Sequence, residues 1–361
     1  MKIPFIKIIS QAMLILLLLF AMFGSFWLAA TENGLHWVYR QASLYIPGEL
    51  IFGNMEGRLI GPITISQLDY QFESTEVSAE RVILDWSVLS LLSARIDITR
   101  LYVQALNIIQ QPSSEPQQDF ELPQIYLPWQ LSLHDVVIDD VRIRQAQQVV
   151  QLNQLRLEAS SLFNLLSIEM LNIKGDRFGM DLNGSLTLNE NYPHNLQVSW
   201  HGELPTKVRL QGQGTLEGNM DALKVRQTLS GPLDLKVQGE LKNLLKKPSW
   251  KAKIDASRIN TKKLGLDPSI PAVKGKLKLQ ASGDLDTVAV TGEIDAQQAE
   301  LGAFTAAYKF KYLKDKLIKI EALKVNTPAT KTSLNIKGDW NLPLNGHSAS
   351  GDLALKLDWK N

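Results

Sequence analysis

Cysteine is absent from the 361 residues, which excludes disulfides, thiolate nucleophiles and Cys-ligated metal sites. Histidine is scarce, and its five copies (His36, His134, His194, His201 and His347) are scattered without metal-ligand spacing. No HExxH or GxSxG motif occurs, and no nucleophile stands beside a base. Gly212, Gly214 and Gly218 resemble a phosphate loop only superficially, because strand patterns flank them where a helix should follow. They read instead as turns and close strand approaches. Asp135, Asp139 and Asp140 lack the ligand spacing of a calcium loop and decorate a strand edge and turn. No catalytic residue, metal or cofactor is nominated, and the expectation is a protein that is not an enzyme.

Net charge is also small, at +1, but its halves differ. Residues 1–200 hold 12 Lys/Arg against 20 Asp/Glu, and residues 201–361 hold 26 against 17. A basic half can signal nucleic acid or anionic lipid. Here the lysines alternate with apolar residues, as at Lys274, Lys276 and Lys278, which is the pattern of a solvated strand face. No nucleic-acid partner is expected.

Charge is missing altogether from Ile8 to Ala30, and Ala12–Ala30 is almost wholly apolar. A helix of about 19 residues spans roughly 28 Å, close to the hydrocarbon thickness of a bilayer. A cleaved signal peptide is the competing reading, with Leu28-Ala29-Ala30 as a weak cleavage site, but its apolar core would be shorter. The expectation is a retained single-pass anchor over residues 1–30, with Lys2 and Lys7 on the cytoplasmic side and the bulk of the chain outside.

Helical periodicity is rare beyond that point. Leu35, Val38, Tyr39, Ala42 and Ile46 fall at helical spacing before Pro47-Gly48, predicting a short amphipathic helix near the membrane surface. Val88–Leu92, Leu162–Leu166 and Leu241–Leu245 are further short helical candidates. Everything else alternates with period two, as in Ile63 and Ile65, Leu131 and Leu133, Val141 and Ile143, or Leu353, Leu355 and Leu357. Such strands have one wet face and one apolar face, and roughly twenty of them are expected. A sheet that large curls, stacks or rolls into a trough, since helices to cover it are missing. The fold expected is mainly β: an N-terminal transmembrane helix, then a long, curled amphipathic antiparallel sheet, a half-pipe on the order of 100 Å with an apolar interior. Residues 31–110 form the membrane-proximal helix and first β unit, 111–127 a Pro/Gln-rich linker, and 128–361 the repetitive sheet.

The order of motifs adds a resemblance. Thr31-Glu-Asn-Gly34-Leu35 is followed by Pro47-Gly48-Glu-Leu50, Gly57-Arg-Leu59 and Leu68-Asp-Tyr70. Asp85-Trp86-Ser-Val-Leu89-Ser-Leu-Leu92 and Ile98-Thr-Arg-Leu101 come next. After the linker stand Leu127-Pro-Trp-Gln-Leu131 and Asp139-Asp-Val-Arg-Ile143, and later Gly239-Glu-Leu-Lys-Asn-Leu-Leu-Lys-Lys-Pro248-Ser-Trp250. This succession resembles the N-terminal part of the TamB family, within the AsmA-like group of bacterial envelope proteins, over essentially the whole chain. Family members are usually much longer, whereas this chain stops at Asp358-Trp-Lys-Asn361 after an alternating strand, which fits a fragment or a truncated relative.

The resemblance implies an inner-membrane-anchored periplasmic protein that conducts phospholipids between the inner and outer membranes of a Gram-negative cell. Its alternative implication is a scaffold acting with an outer-membrane TamA-like barrel of the Omp85 type in outer-membrane protein assembly. The residues expected to line a lipid groove are Val208, Leu210, Leu233, Leu235, Val237, Leu277, Leu279, Val288, Val290, Leu334 and Ile336. On their pattern alone these could equally be the core of a packed sheet.

Overall fold

The computed structural model describes residues 23–24, 26–111, 125–145, 148–189, 191–264, 272–300, 302–314, 316–341 and 350–359. Most of the expected anchor and most of the 111–127 linker lie outside these residues. Among the described residues no helix is long and apolar enough to cross a membrane. Among the described residues the chain is mainly β, with nineteen strands, three 3₁₀ turns and an α-helix at Glu32–Ala42; residues 23–24 and 26–30 are also helical. It divides into two compact units: residues 1–115, 127–163 and 169–176 form the first, and 116–126, 164–168 and 177–361 the second.

In the first unit, helix α1 (Glu32–Ala42) starts where Thr31 accepts a hydrogen bond from the Gly34 N–H at 3.1 Å. Its apolar stripe covers strands rather than standing free. Leu35 is buried with Met55 and Ile63, and Tyr39, Phe52, Leu59, Ile65 and Leu84 pack around them. Tyr39 also meets Phe52 edge-on at 4.7 Å and donates its hydroxyl to the Leu50 carbonyl.

The strands of this unit are β1 (Glu49–Gly57), β2 (Ile63–Phe72), β3 (Thr75–Trp86), β4 (Arg95–Gln110), β5 (Gln130–Gln145), β6 (Gln148–Leu162) and most of β7 (Leu165–Lys174). Neighbours pair antiparallel from β1 to β4 and again from β5 to β6. The β4–β5 pair is parallel, which corrects the expectation of a wholly antiparallel sheet. The physical reason lies in the connection: parallel neighbours need the chain to return the length of a strand, and a segment of a dozen or more residues does this. Between Gln110 and Gln130 the sequence supplies that length, so the Pro/Gln-rich segment joins two strands of one unit.

A crease crosses this unit. Gln67, Ala105 and Asp140 have φ of 53°, 54° and 53°, left-handed values in the middle of β2, β4 and β5. On one side of them Met55, Ile65, Val82, Val103, Ile138 and Leu155 lie in one register row. On the other side Phe52, Leu68 and Ala79 align, as do Leu106, Val141 and Leu152. Apolar parity therefore changes from odd to even within β2 and β4 without a change of face. A left-handed residue breaks the pleat at each crossing, so the residues after it alternate out of phase with those before.

The second unit is an antiparallel meander. Its strands are β8 (Phe178–Thr187), β9 (His194–Glu203), β10 (Arg209–Gly218), β11 (Ala222–Ser230), β12 (Asp234–Lys242) and β13 (Ser249–Asn260). They continue with β14 (Val273–Gly283), β15 (Thr287–Gln298), β16 (Gly302–Leu313), β17 (Leu317–Thr327), β18 (Thr332–Asn341) and β19 (Ser350–Trp359). Each pairs with the next in sequence.

Of the short helical candidates, Val88–Ser93 is a 3₁₀ turn. Leu162–Leu166 is instead the β6–β7 hairpin, and Leu241–Leu245 is the end of β12 and its turn. Leucine clusters at strand ends imitate helical spacing over four or five residues, too few to separate the two periods.

Candidate functional site

The second unit has two chemically different faces. Along β14 every other residue is exposed, Lys274, Lys276, Lys278 and Gln280, while Val273, Gly275, Leu277 and Leu279 are half-buried. The exposed face carries cross-strand charge pairs: Lys236 stands opposite Asp255, Lys278 opposite Glu293, and Lys276 opposite Asp295. Arg258 reaches Asp234 at 2.7 Å and Lys309 reaches Glu321 at 2.7 Å. The Lys309 contact holds the Glu321 carboxyl below its ordinary pKa. These strand lysines of the basic half thus sit on a solvated face among carboxylates.

The other face is apolar, and its register builds rows across the strands. Leu229, Leu235, Ala256, Leu277, Ile294, Ala306, Val325, Leu334 and Leu357 are successive partners from β11 to β19. A parallel row runs Val237, Ile254, Leu279, Gly292, Tyr308, Leu323, Ile336 and Leu355. A third passes through Val225, Gly239, Ala252, Ala281, Val290, Phe310 and Ile320. A fourth passes through Leu241, Trp250, Gly283, Val288, Tyr312, Ile318 and Trp340. Strands lie about 4.8 Å apart, so neighbours along a row touch and shield one another from water.

Two close approaches shape these rows. The Trp200 ring of β9 lies over Gly212 of β10, at 2.6 Å from where a Cβ would stand. The Tyr308 hydroxyl lies over Gly292 in the same way, at 2.5 Å, and its ring stacks on Phe310 at 5.4 Å. A large ring opposite a glycine keeps the row filled where one partner has no side chain. Burial raises the Tyr308 pKa above 10.0.

The apolar face is only half-hidden. Among the described apolar residues of this unit, Tyr192, Val198, Ala256 and Ala296 are the buried ones. Besides neighbouring strands, the elements that contact these strands closely are two short 3₁₀ turns, Thr261–Leu264 and Pro328–Thr330. On β19 the face is open, with Leu355 66% and Leu357 63% exposed. Two crevices of about 620 and 610 Å³ are lined mostly by the charged parity, Lys253, Gln280 and Thr291 among them; the first also takes in Val225, Gly239, Ala252 and Ala281 of the third row, and the second Ile254, Leu279, Gly292 and Tyr308 of the second.

The eleven expected lining residues are all half-buried. Leu235, Leu277 and Leu334 share the first row, Val237, Leu279 and Ile336 the second; Val290 is in the third and Val288 in the fourth. Leu210 of β10 stands opposite Gly202 of β9, whereas Val208 and Leu233 lie in turns just outside the strands. Sequence reasoning left Ile254, Ala256 and Gly292 out of the lining. Alternation marked the parity of Ile254, but register alone places an alanine or a glycine in a row. Among the described residues no group of His, Asp and Glu could hold a metal ion.

Comparison with known proteins gives one family match. The family model described as TamB, N-terminal domain, matches residues 18–121 and 118–356. Neither a curated protein nor a solved structure matches the chain significantly.

Proposed function

Starting from the fact that the chain belongs to the TamB family, we propose that it is a phospholipid conduit whose path is the apolar face of the second unit. The observation that supports this reading is the set of in-register apolar rows without a covering layer among the described residues. An acyl chain left in water costs about 0.8 kcal/mol per methylene. A face of Leu, Ile, Val and Phe continuous from strand to strand removes most of that cost at every step, while headgroups stay wet at the margins. Movement along it needs no covalent chemistry, so the protein is not an enzyme in this reading.

Its setting is the periplasm, held to the inner membrane by the apolar N-terminal segment. Around the start of the described chain Trp27, Trp37 and Tyr45 are exposed, an arrangement suited to a membrane–water interface. The alternative is a scaffold that offers strand edges to a client or to a TamA-like outer-membrane barrel. Barrel capture that persists when the apolar rows are made polar would favour it.

Leu277→Lys combined with Leu279→Lys tests the conduit. Both sites are half-buried on a face with no covering layer among the described residues, so the double variant should lose bound lipid while its unfolding free energy falls by only about 1–2 kcal/mol. Loss of cooperative folding would instead mean that the rows are a packed core.

A further inference from the structure

The two margins of the second unit differ. On one margin the turns are stitched to each other: Met220 N–H donates to the Asn191 carbonyl at 2.9 Å, Leu244 N–H to Met220 at 3.0 Å, and Lys314 N–H to Asp286 at 2.8 Å. Asn191 also donates its side-chain amide to the Asp221 carboxylate at 2.6 Å. Carboxylates and lysines are mixed there, with Asp221, Asp284 and Asp286 beside Lys246, Lys247, Lys314 and Lys316.

The opposite margin carries the turns after β9, β11, β13, β15 and β17. Its described turn charges are Lys207, Lys262, Lys263 and Lys331 against Glu300 alone. Two of these turns are joined. Thr206 donates its hydroxyl to the Leu264 carbonyl at 2.9 Å, although about three strand spacings, roughly 14 Å, separate β10 from β13. The 3₁₀ turn Thr261–Leu264 therefore reaches back along the margin past the uncharged Gly231-Pro232-Leu233 turn. Val273 N–H closes the base of this loop by donating to the Thr261 hydroxyl at 2.8 Å.

The bridge places Lys207, Lys262 and Lys263 on the margin that runs alongside the first apolar row, the row through Leu229, Leu235 and Ala256. All three lysines are exposed, and among the described residues none has an ion-pair partner. We propose that this bridge is a docking point for the headgroup of net-anionic phospholipids, which makes the conduit select them over zwitterionic ones. The inference rests on the conduit reading and adds headgroup selection to it. The complementarity is specific: two acyl chains need an apolar surface, and an anionic phosphodiester beside them needs cations that, among the described residues, no carboxylate neutralises.

The test uses the full chain and phosphatidylcholine vesicles carrying phosphatidylglycerol or phosphatidylethanolamine with the same fluorescent acyl label. Protein is separated from the vesicles, and its bound label is measured, which distinguishes a lipid withdrawn from the bilayer from simple docking on its surface. The expected result is about fivefold or greater uptake of phosphatidylglycerol over phosphatidylethanolamine at low salt, narrowing towards parity above ~0.3 M salt. The triple variant Lys207→Gln, Lys262→Gln, Lys263→Gln should bring the ratio to about one, with phosphatidylethanolamine uptake and thermal unfolding unchanged. Equal uptake by the unaltered protein overturns headgroup selection, a preference that survives the triple variant overturns its assignment to this bridge, and either result leaves the conduit standing. Binding of protein to anionic vesicles without withdrawn lipid overturns it in favour of membrane-surface docking. Uptake of neither lipid overturns the conduit reading and this inference with it.

Discussion

Glycines in this chain do different work at different positions, and the residue scale is where those roles can be separated. At Gly214 in β10 an added Cβ would meet the backbone carbonyl oxygen of Arg226 on β11. Backbone cannot swing aside as the end of a side chain can, so Gly214→Ala should cost about 1–3 kcal/mol, read as a fall in the unfolding midpoint. Gly302, with open space around its Cβ position, has φ of 70° and serves the turn before β16 instead. Asp284 shows a second residue-scale effect. Its carboxylate accepts the N–H groups of Asp286 and Thr287 at 2.9 and 2.8 Å, which hold its pKa below the ordinary 3.8. A lowered folded-state pKa stabilises above the unfolded value and is lost as pH falls through the folded one. Asp284→Ala should therefore be less stable than the parent at pH 7, with the difference vanishing in acid below the lowered value. A difference that stays constant in denaturant titrations down to that pH would contradict the role given to these two hydrogen bonds.

Between residues and the whole chain, strands explain what the sequence discloses and what it hides. Period two exposes the apolar face of β12 and β14 directly, because Leu233, Leu235 and Val237 or Leu277 and Leu279 repeat without interruption. In β17, by contrast, a bulge between Ile320 and Leu323 switches the apolar parity. In β2 the same rule fails halfway: Ile63 and Ile65 are odd, Leu68 and Tyr70 even, and only the left-handed Gln67 reconciles them. Neither glutamine nor alanine announces a left-handed backbone as glycine would, so the crease could not be read from composition. Ala105 tests it. Ala105→Gly should gain up to about 1 kcal/mol by relieving the left-handed strain, and Ala105→Val should lose about 1–3 kcal/mol. The parallel β4–β5 pair was equally hidden, since alternation is blind to strand direction; its trace in the sequence is the long Pro/Gln-rich connection itself. Helix α1 was legible from its spacing, but its packing on Met55 and Ile63 was not, because an apolar stripe fits a lipid surface and a sheet equally well.

For the whole molecule, the chain belongs to the TamB family, and among the described residues of its second unit the apolar rows form a sheet face with few fully buried side chains. What occupies that face separates a conduit from a packed core. The most direct measurement is photo-crosslinking in cells, with a photoreactive residue replacing Leu277 or Leu279 on the apolar rows and Lys276 or Lys278 on the charged face. Mass analysis of the adducts should find phospholipid at the two leucine positions and none at the two lysine positions. Adducts at the leucines made only of this chain's own residues would contradict the conduit and identify the rows as packed core, and adducts to another polypeptide would identify a client or a barrel partner in its place.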